Sequence, residues 1–222
     1  MVKTTQLITL PAQIQQVISK EWWPALLETG LAATYKKGAY IIRVGERDKY
    51  VRVGLSGWTA LRRVDTILMF ASTWMQTNAV GTDVVLASAD LVTLTDVPVV
   101  LLDRAKFTEA LLNSPPNGLL TILKWSQRNL DMIVTFSTIK SSCPLDVGLA
   151  ALLWTLGAAA EDGRRKVPTG IPQHALARAL GASREEVSRK RQMLVNTNYL
   201  VIEGCDEYMD AMTPMLLAPY GF

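Results

Sequence analysis

Between Gln173 and Leu194 the chain spells out two short helices and the turn that joins them. Leu176, Ala177 and Leu180 fall on one helical face, and Gly181 follows where a helix commonly ends in the left-handed region. Ser183-Arg184-Glu185-Glu186 then has the form of a capping box, with Ser183 accepting from the Glu186 amide and Glu186 reaching back to the Ser183 amide. A second helix must begin there, and Val187 and Leu194, seven apart, mark its inner face. Two short helices joined by a Gly-containing turn describe a helix-turn-helix. The outer face of the second helix carries Arg184, Glu185, Ser188, Arg189 and Gln192. Such side chains suit nucleic-acid edges, since Arg can bind guanine bidentately and Glu can accept from the cytosine amino group.

Charge sharpens this reading. From Arg164 to Arg191 eight basic residues (Arg164, Arg165, Lys166, Arg178, Arg184, Arg189, Lys190, Arg191) face two acidic ones, Glu185 and Glu186, a net +6. The whole chain carries only +3, so the remainder sums to −3. A solvated charged face is the ordinary explanation of a basic cluster, but one seated on a helix-turn-helix reads as an electrostatic footprint for DNA. Behind the second helix, Tyr199 to Ile202 reads as a strand, Glu203-Gly204 as a turn, and a further strand is expected near Met215-Leu216-Leu217, which together suggest a wing. With Asp206, Glu207 and Asp210 that wing is acidic and is not expected to lie against phosphates.

The rest of the 222 residues divides by texture. From Leu31 to about Leu102, short β-branched and aromatic runs such as Tyr40-Ile41-Ile42, Tyr50 to Val53, Trp58 to Leu61, Val84 to Leu86 and Val97 to Leu101 alternate with Gly, Asp and Asn. That spacing predicts an antiparallel sandwich or barrel. Asp103 to Leu112 reads as a short helix, and residues 113–118 break it. A long helix follows from Leu119 to about Ile139, with apolar Leu119, Ile122, Leu123, Leu130, Ile133, Val134 and Phe136 at helical spacing. Its stripe must be buried, either against a two-fold copy of the chain or on its own barrel; the first choice makes Leu119, Ile122, Leu123, Leu130, Ile133 and Phe136 the dimer interface. Leu145 to Ala160 reads as a further Ala/Leu-rich helix, ended by Glu161-Asp162-Gly163.

Composition removes several classes. With 49% hydrophobic and 19% charged residues the chain is neither disordered nor fibrous. Two cysteines make no disulfide framework, and Cys143 and Cys205 read as free thiols. A single histidine, His174, leaves little for a His/Cys metal centre or a Ser-His catalytic site. The six tryptophans read as core or interface residues. The most apolar run, Leu149 to Ala160, is shorter than the ~20 residues a membrane helix needs, and the N-terminus leads into no signal core. The expectation is a cytoplasmic protein without a membrane partner.

On these residues the chain resembles the family of the catabolite activator protein and the fumarate–nitrate regulator (CRP/FNR), dimeric bacterial transcription factors. Leu176 to Arg189, LARALGASREEVSR, is similar to the family's LA-x-x-LG-x-SRE-x-V-x-R. A weaker match covers the N-terminal part: Tyr35-Lys36-Lys37-Gly38 with Ile41, Ile42, Gly45 and Glu46, then Leu55-Ser56-Gly57, and Leu94-Thr95-Asp96 with Leu101 to Arg104 and Phe107. The resemblance implies an α+β protein: a cyclic-nucleotide-binding-like β jelly roll over residues 1–112, a dimerisation helix and hinge over 113–143, and a winged helix-turn-helix DNA-binding domain over 144–222. It implies that Arg184, Glu185 and Arg189 read a half-site related to the TGTGA type, with Gln173 and Ser183 on phosphate and Ser188 and Gln192 beside them. The expected partners are a second copy of the chain and a pseudo-palindromic double-stranded DNA operator, with RNA polymerase a further candidate.

Three departures matter. The family's phosphate-binding cassette pairs a ribose-contacting Glu with a phosphate-contacting Arg, whereas here Gly81-Thr82 is followed by Ala87-Ser88. The Glu position falls on Thr82 and the Arg position on Ala87. A buried phosphate without Arg would be poorly compensated, so cyclic AMP binding is not expected. No N-terminal cysteine cluster supports an iron–sulfur sensor, haem is likewise not expected, and the effector stays unidentified. Arg191 stands where the family usually buries a Leu, which leaves it either to extend along its stem to a phosphate or to alter the local packing. Two other readings compete: a cupin-like barrel enzyme, disfavoured because the only His lies in the helix-turn-helix, and a ligand-free barrel serving as scaffold or protein-docking surface on a DNA-binding module. The chain is not expected to be an enzyme.

Overall fold

The computed structural model describes residues 30–47, 49–75, 86–113 and 117–221, with the backbone alone at 117–119 and 121. Among these, twelve strands and six α-helices form two compact units, the described residues of 30–59 with 71–130, and those of 60–70 with 131–221.

The expected sandwich is present as two four-stranded sheets. The first has the order β1 (Leu31–Tyr35), β8 (Val97–Asp103), β3 (Tyr50–Gly54), β6 (Trp74–Met75), with all neighbours antiparallel. The second has the order β2 (Tyr40–Ile42), β7 (Asp90–Thr93), β4 (Thr59–Arg63), β5 (Thr66–Ala71). This doubled arrangement of short strands is a jelly roll. The central strands are covered on both faces and do not alternate strictly: Val97, Val99, Val100 and Leu102 of β8 are buried, together with Val51, Arg52 and Val53 of β3. Of the expected run Val84 to Leu86, only Leu86 lies within the described residues, where it bridges to Arg47.

Helix α1 (Arg104–Leu112) is started by Asp103, whose side chain accepts from the Lys106 amide. Its Phe107 and Leu111 join Ile122 and Trp125 in a core with Val51, Val53, Met75, Val100 and Leu102. Helix α2 (Asn117–Ser142) is the expected long helix, slightly longer at both ends.

In the second unit the Ala/Leu-rich helix α3 (Leu145–Leu156) stops four residues earlier than the sequence suggests. The helix ends where Gly157 takes an extended conformation, φ −68° and ψ 142°, and an added Cβ there would lie 2.8 Å from Arg165 Cβ, so the close approach of β10 requires glycine. Two minimal strands follow, β9 (Ala158–Ala159) and β10 (Arg165–Lys166). Helices α4 (Gln173–Leu180) and α5 (Arg184–Asn196) come next, then β11 (Leu200–Glu203) and β12 (Asp206–Met209). A third sheet has the order β11-β12-β10-β9. The second wing strand is therefore Asp206–Met209, and the expected strand near Met215–Leu217 is instead helix α6 (Thr213–Leu217), with Pro214 in its first turn, where a missing amide is no loss. Leu149, Leu152, Leu153, Leu176, Val187, Leu194, Leu200, Met209 and Leu217 are all buried and form this unit's interior.

Candidate nucleic-acid interface

The two helices and their turn are built as local rules demand. Helix α4 ends on Gly181 in the left-handed conformation, φ 69°, and the amides of Gly181 and Ala182 both donate to Ala177 O. Both halves of the capping box are formed: Ser183 Oγ accepts from the Glu186 amide at 3.2 Å, and Glu186 Oε2 accepts from the Ser183 amide at 2.9 Å and from its hydroxyl at 2.8 Å. These bonds hold the Glu186 carboxyl below its ordinary value of 4.5, the backbone amide first, then the hydroxyl, with a contribution from the Arg189 charge. Val187 and Leu194 point inward and are fully buried.

Replacing Ser183 by Ala is expected to destabilise the helix-turn-helix by ~1 kcal/mol, read by denaturant unfolding. A depressed carboxyl stabilises the fold above its unfolded pKa, and that contribution is lost as pH falls through the lowered value. The wild-type advantage over Ser183→Ala should therefore be full above pH 4.5 and shrink below it. A pH-independent difference would mean that the bond from the Ser183 hydroxyl to the Glu186 carboxylate contributes nothing, since the bond from the residue-183 amide survives in the variant.

The outer face is open. Arg184, Glu185, Ser188, Arg189 and Gln192 are all exposed and span an arc of about 140° at 100° per residue. Ser183 is exposed at the start of α5 and Gln173 is half-buried at the start of α4, with His174 exposed beside it. Gln192 Nε2 donates to Asn196 Oδ1 at 3.1 Å.

The basic segment is less free than its linear sum suggests. Arg164 is held by Glu203 and Asp162, each at 2.5 Å, and these bonds, the Glu203 one first, raise its pKa further. Lys166 Nζ lies 2.6 Å from Asp206, which raises the lysine pKa. Lys190 is 3.8 Å from Asp146. Arg165 Nη1 donates to Trp154 O, with the guanidinium 5.3 Å from the Trp154 ring centroid. Arg191, for which the sequence allows a reach to phosphate, donates instead to Glu207 on β12. Burial draws its pKa down, but a guanidinium stays charged. The pair walls a cavity of 230 Å³ together with Val167, Leu176 and Cys205. Of the eight basic residues only Arg178, Arg184 and Arg189 are left without an ion pair or backbone partner among the described residues, and all three are exposed.

The six apolar positions read as a dimer interface divide between two faces of α2. Ile122 and Phe136 are buried within their own chain, Ile122 in the core with Trp125 and Phe136 against the Phe70 ring at a centroid distance of 5.8 Å. Leu123 and Leu130 are exposed, Ile133 is half-buried, and the Leu119 side chain lies outside the described residues. Leu120 and Val134, the first not on the expected stripe, are exposed as well.

Of the cassette positions, Gly81 and Thr82 lie outside the described residues. Ala87 is buried; its amide donates to Glu46 O at 3.2 Å and its carbonyl accepts from the Gly45 amide at 2.9 Å, while Ser88 is exposed. Cys143 and Cys205 are free thiols, and burial pushes the Cys143 thiol up. Among the described residues, no group of three or more His, Cys, Asp or Glu could hold a metal ion, and no helix is long and apolar enough to cross a membrane.

The jelly roll, long helix and winged helix-turn-helix define the fold of the CRP/FNR regulators. Solved structures similar to the chain include FixK2 from Bradyrhizobium japonicum, with a TM-score of 0.69 and 16% identity over 85% of this chain and 96% of that one. A CooA mutant from Carboxydothermus hydrogenoformans has a TM-score of 0.70 and 16% identity over 96% of each chain. A transcriptional regulator of the CRP/FNR family from Thermus thermophilus has a TM-score of 0.62 and 18% identity over 86% of this chain and all of that one. No family model and no curated protein matches the sequence.

Proposed function

We propose that the chain is a homodimeric, sequence-specific DNA-binding transcription regulator that works without cyclic AMP and performs no catalysis. The observation that carries this reading is the exposed arc of α5, where Arg184 and Arg189, without ion pairs, flank Glu185, Ser188 and Gln192 on a helix whose start is fixed by both capping bonds. Hydrogen-bonding side chains of both signs on one helical face match the donor and acceptor pattern of a major groove. Two such helices one DNA turn apart, ~34 Å, would enter successive major grooves of a pseudo-palindrome. Against cyclic AMP stands Ala87, which offers no charge and whose backbone is committed to the Gly45–Glu46 turn.

Selection of bound sequences from random duplexes by the purified protein, with and without cyclic AMP, tests both halves. Recovery of a palindrome in both arms is expected. No selection in either arm overturns sequence-specific binding, and selection only with cyclic AMP overturns the reading of the cassette. On the recovered site, Arg184→Ala or Arg189→Ala should weaken binding by ~1–3 kcal/mol and relax one base position per half-site. Equal weakening on every sequence would instead place that guanidinium on a phosphate.

A further inference from the structure

The hairpin β11–β12 presents three carboxylates, and each meets a different cation of the basic segment: Glu203 meets Arg164, Asp206 meets Lys166, and Glu207 meets Arg191. The pairing is set by the sheet. Lys166 lies opposite Tyr208 in the β10–β12 register, and the Val167 amide donates to Glu207 O at 2.8 Å, which brings Asp206 and Glu207 alongside β10 and α5. Asp162 adds a second carboxylate on Arg164.

A surface pair such as Lys166–Asp206, 45% and 38% exposed, contributes little to stability. Their effect on a polyanion is larger. A cation within hydrogen-bond reach of a carboxylate presents a dipole whose field is screened within about one Debye length, ~8–10 Å. It therefore displaces few counterions from DNA, and counterion release is what supplies sequence-independent affinity.

We propose that Glu203, Asp206 and Glu207 are charge-masking residues: by neutralising Arg164, Lys166 and Arg191 they hold down non-specific DNA affinity and leave contact with DNA to the unpaired Arg178, Arg184 and Arg189. Because a regulator must find its site among a vast excess of other duplex, lowering the sequence-independent term raises discrimination without any new base contact. Glu203, Asp206 and Glu207 are then spent on these cations and not left free to repel DNA. The inference rests on the DNA-binding reading and adds a determinant of specificity to it.

The Lys166–Asp206 pair gives the cleanest test, since both groups are surface side chains held by one bond. Binding of a fluorescent random-sequence duplex is followed by anisotropy between ~50 and ~200 mM salt, the range over which counterion release is most visible. Asp206→Asn frees Lys166 and should steepen the slope of log affinity against log salt by about 1 per protomer. Lys166→Gln combined with Asp206→Asn should restore the wild-type slope. Glu109→Gln, on α1 of the first unit, makes the same change in net charge and should move the slope far less. Glu203→Gln should have a smaller effect than Asp206→Asn, because Asp162 still holds Arg164.

An unchanged slope in Asp206→Asn overturns the proposal. So does a double variant weaker than wild type, which would put Lys166 itself on phosphate, and so does an equal response in Glu109→Gln. A wild-type protein that does not bind duplex at any salt overturns the DNA-binding reading itself, an outcome distinct from all three.

Discussion

Asp at both Leu130 and Val134 should leave a folded monomer and reduce affinity for a palindromic duplex by ~10²–10⁴-fold, towards that of a single half-site. Leu120, Leu123, Leu130 and Val134 of α2 are 53%, 63%, 57% and 61% exposed. They follow one another at steps of three, seven and four residues, with Gln127 at the position between, which is the a/d spacing of a helix pair. Fully burying a Leu or Val side chain contributes ~1.5–3 kcal/mol, so the exposed parts of four from each protomer supply roughly 7–14 kcal/mol, comparable to the ~4–15 kcal/mol that association costs. Four carboxylates forced into the same seam would be desolvated without partners. The inner face of the helix, with Ile122, Trp125, Phe136 and Ile139 buried, is untouched by these changes, so the monomer keeps its fold. The DNA effect follows from linkage: once one recognition helix is seated, a tightly packed partner has a high effective concentration at the second half-site. Sedimentation and thermal unfolding check the first part, and anisotropy on full and half palindromes checks the second. A double variant that stays dimeric would move the interface off this stripe.

The same helix shows how far the sequence could be read. Apolar residues at helical spacing gave its existence and nearly its length, because period is a local property. They did not say which neighbour each residue meets. Helix α2 carries two apolar faces, one buried within the chain through Ile122 and Phe136 and one open through Leu123 and Leu130, and a single list at 3.6-residue spacing merged them. The helix-turn-helix was legible almost residue by residue, since Gly181, Ser183, Glu186, Val187 and Leu194 act within one or two turns of themselves. The wing was not. Strand β12, Asp-Glu-Tyr-Met, has no apolar alternation, buries only Met209, and owes its strand form to partners on both sides, β10 and β11. The apolar Met215 to Leu217 drew the strand reading towards a segment that is helical. Charge failed for the same reason. Summing residues 164–191 gave +6, but Asp146, Asp162, Glu203, Asp206 and Glu207 all lie outside that window and reach into it only in three dimensions.

Gly181→Val is expected to separate folding from function at the turn between α4 and α5. Gly181 sits at φ 69°, where an L side chain costs ~1–3 kcal/mol, most for a β-branched one. An added Cβ would also lie 3.0 Å from Lys140 Cε, so the lysine stem packed over the turn must shift; it is a flexible contact and can yield. The backbone term therefore dominates. Valine satisfies it only by leaving the left-handed region, and that breaks the two amide bonds to Ala177 O which set the angle at which α5 departs. Because the arc of Arg184, Glu185, Ser188, Arg189 and Gln192 is aimed by that angle, specific DNA affinity should fall by more than the loss of stability explains. Asn tolerates the left-handed region, so Gly181→Asn should lie within ~1 kcal/mol of wild type and retain its sequence preference. Denaturant unfolding and duplex binding on the same two variants decide the matter: a valine variant that keeps its preference would show that the turn angle does not aim the recognition helix, and an asparagine variant as damaged as valine would place the cost in the Lys140 contact instead of the backbone.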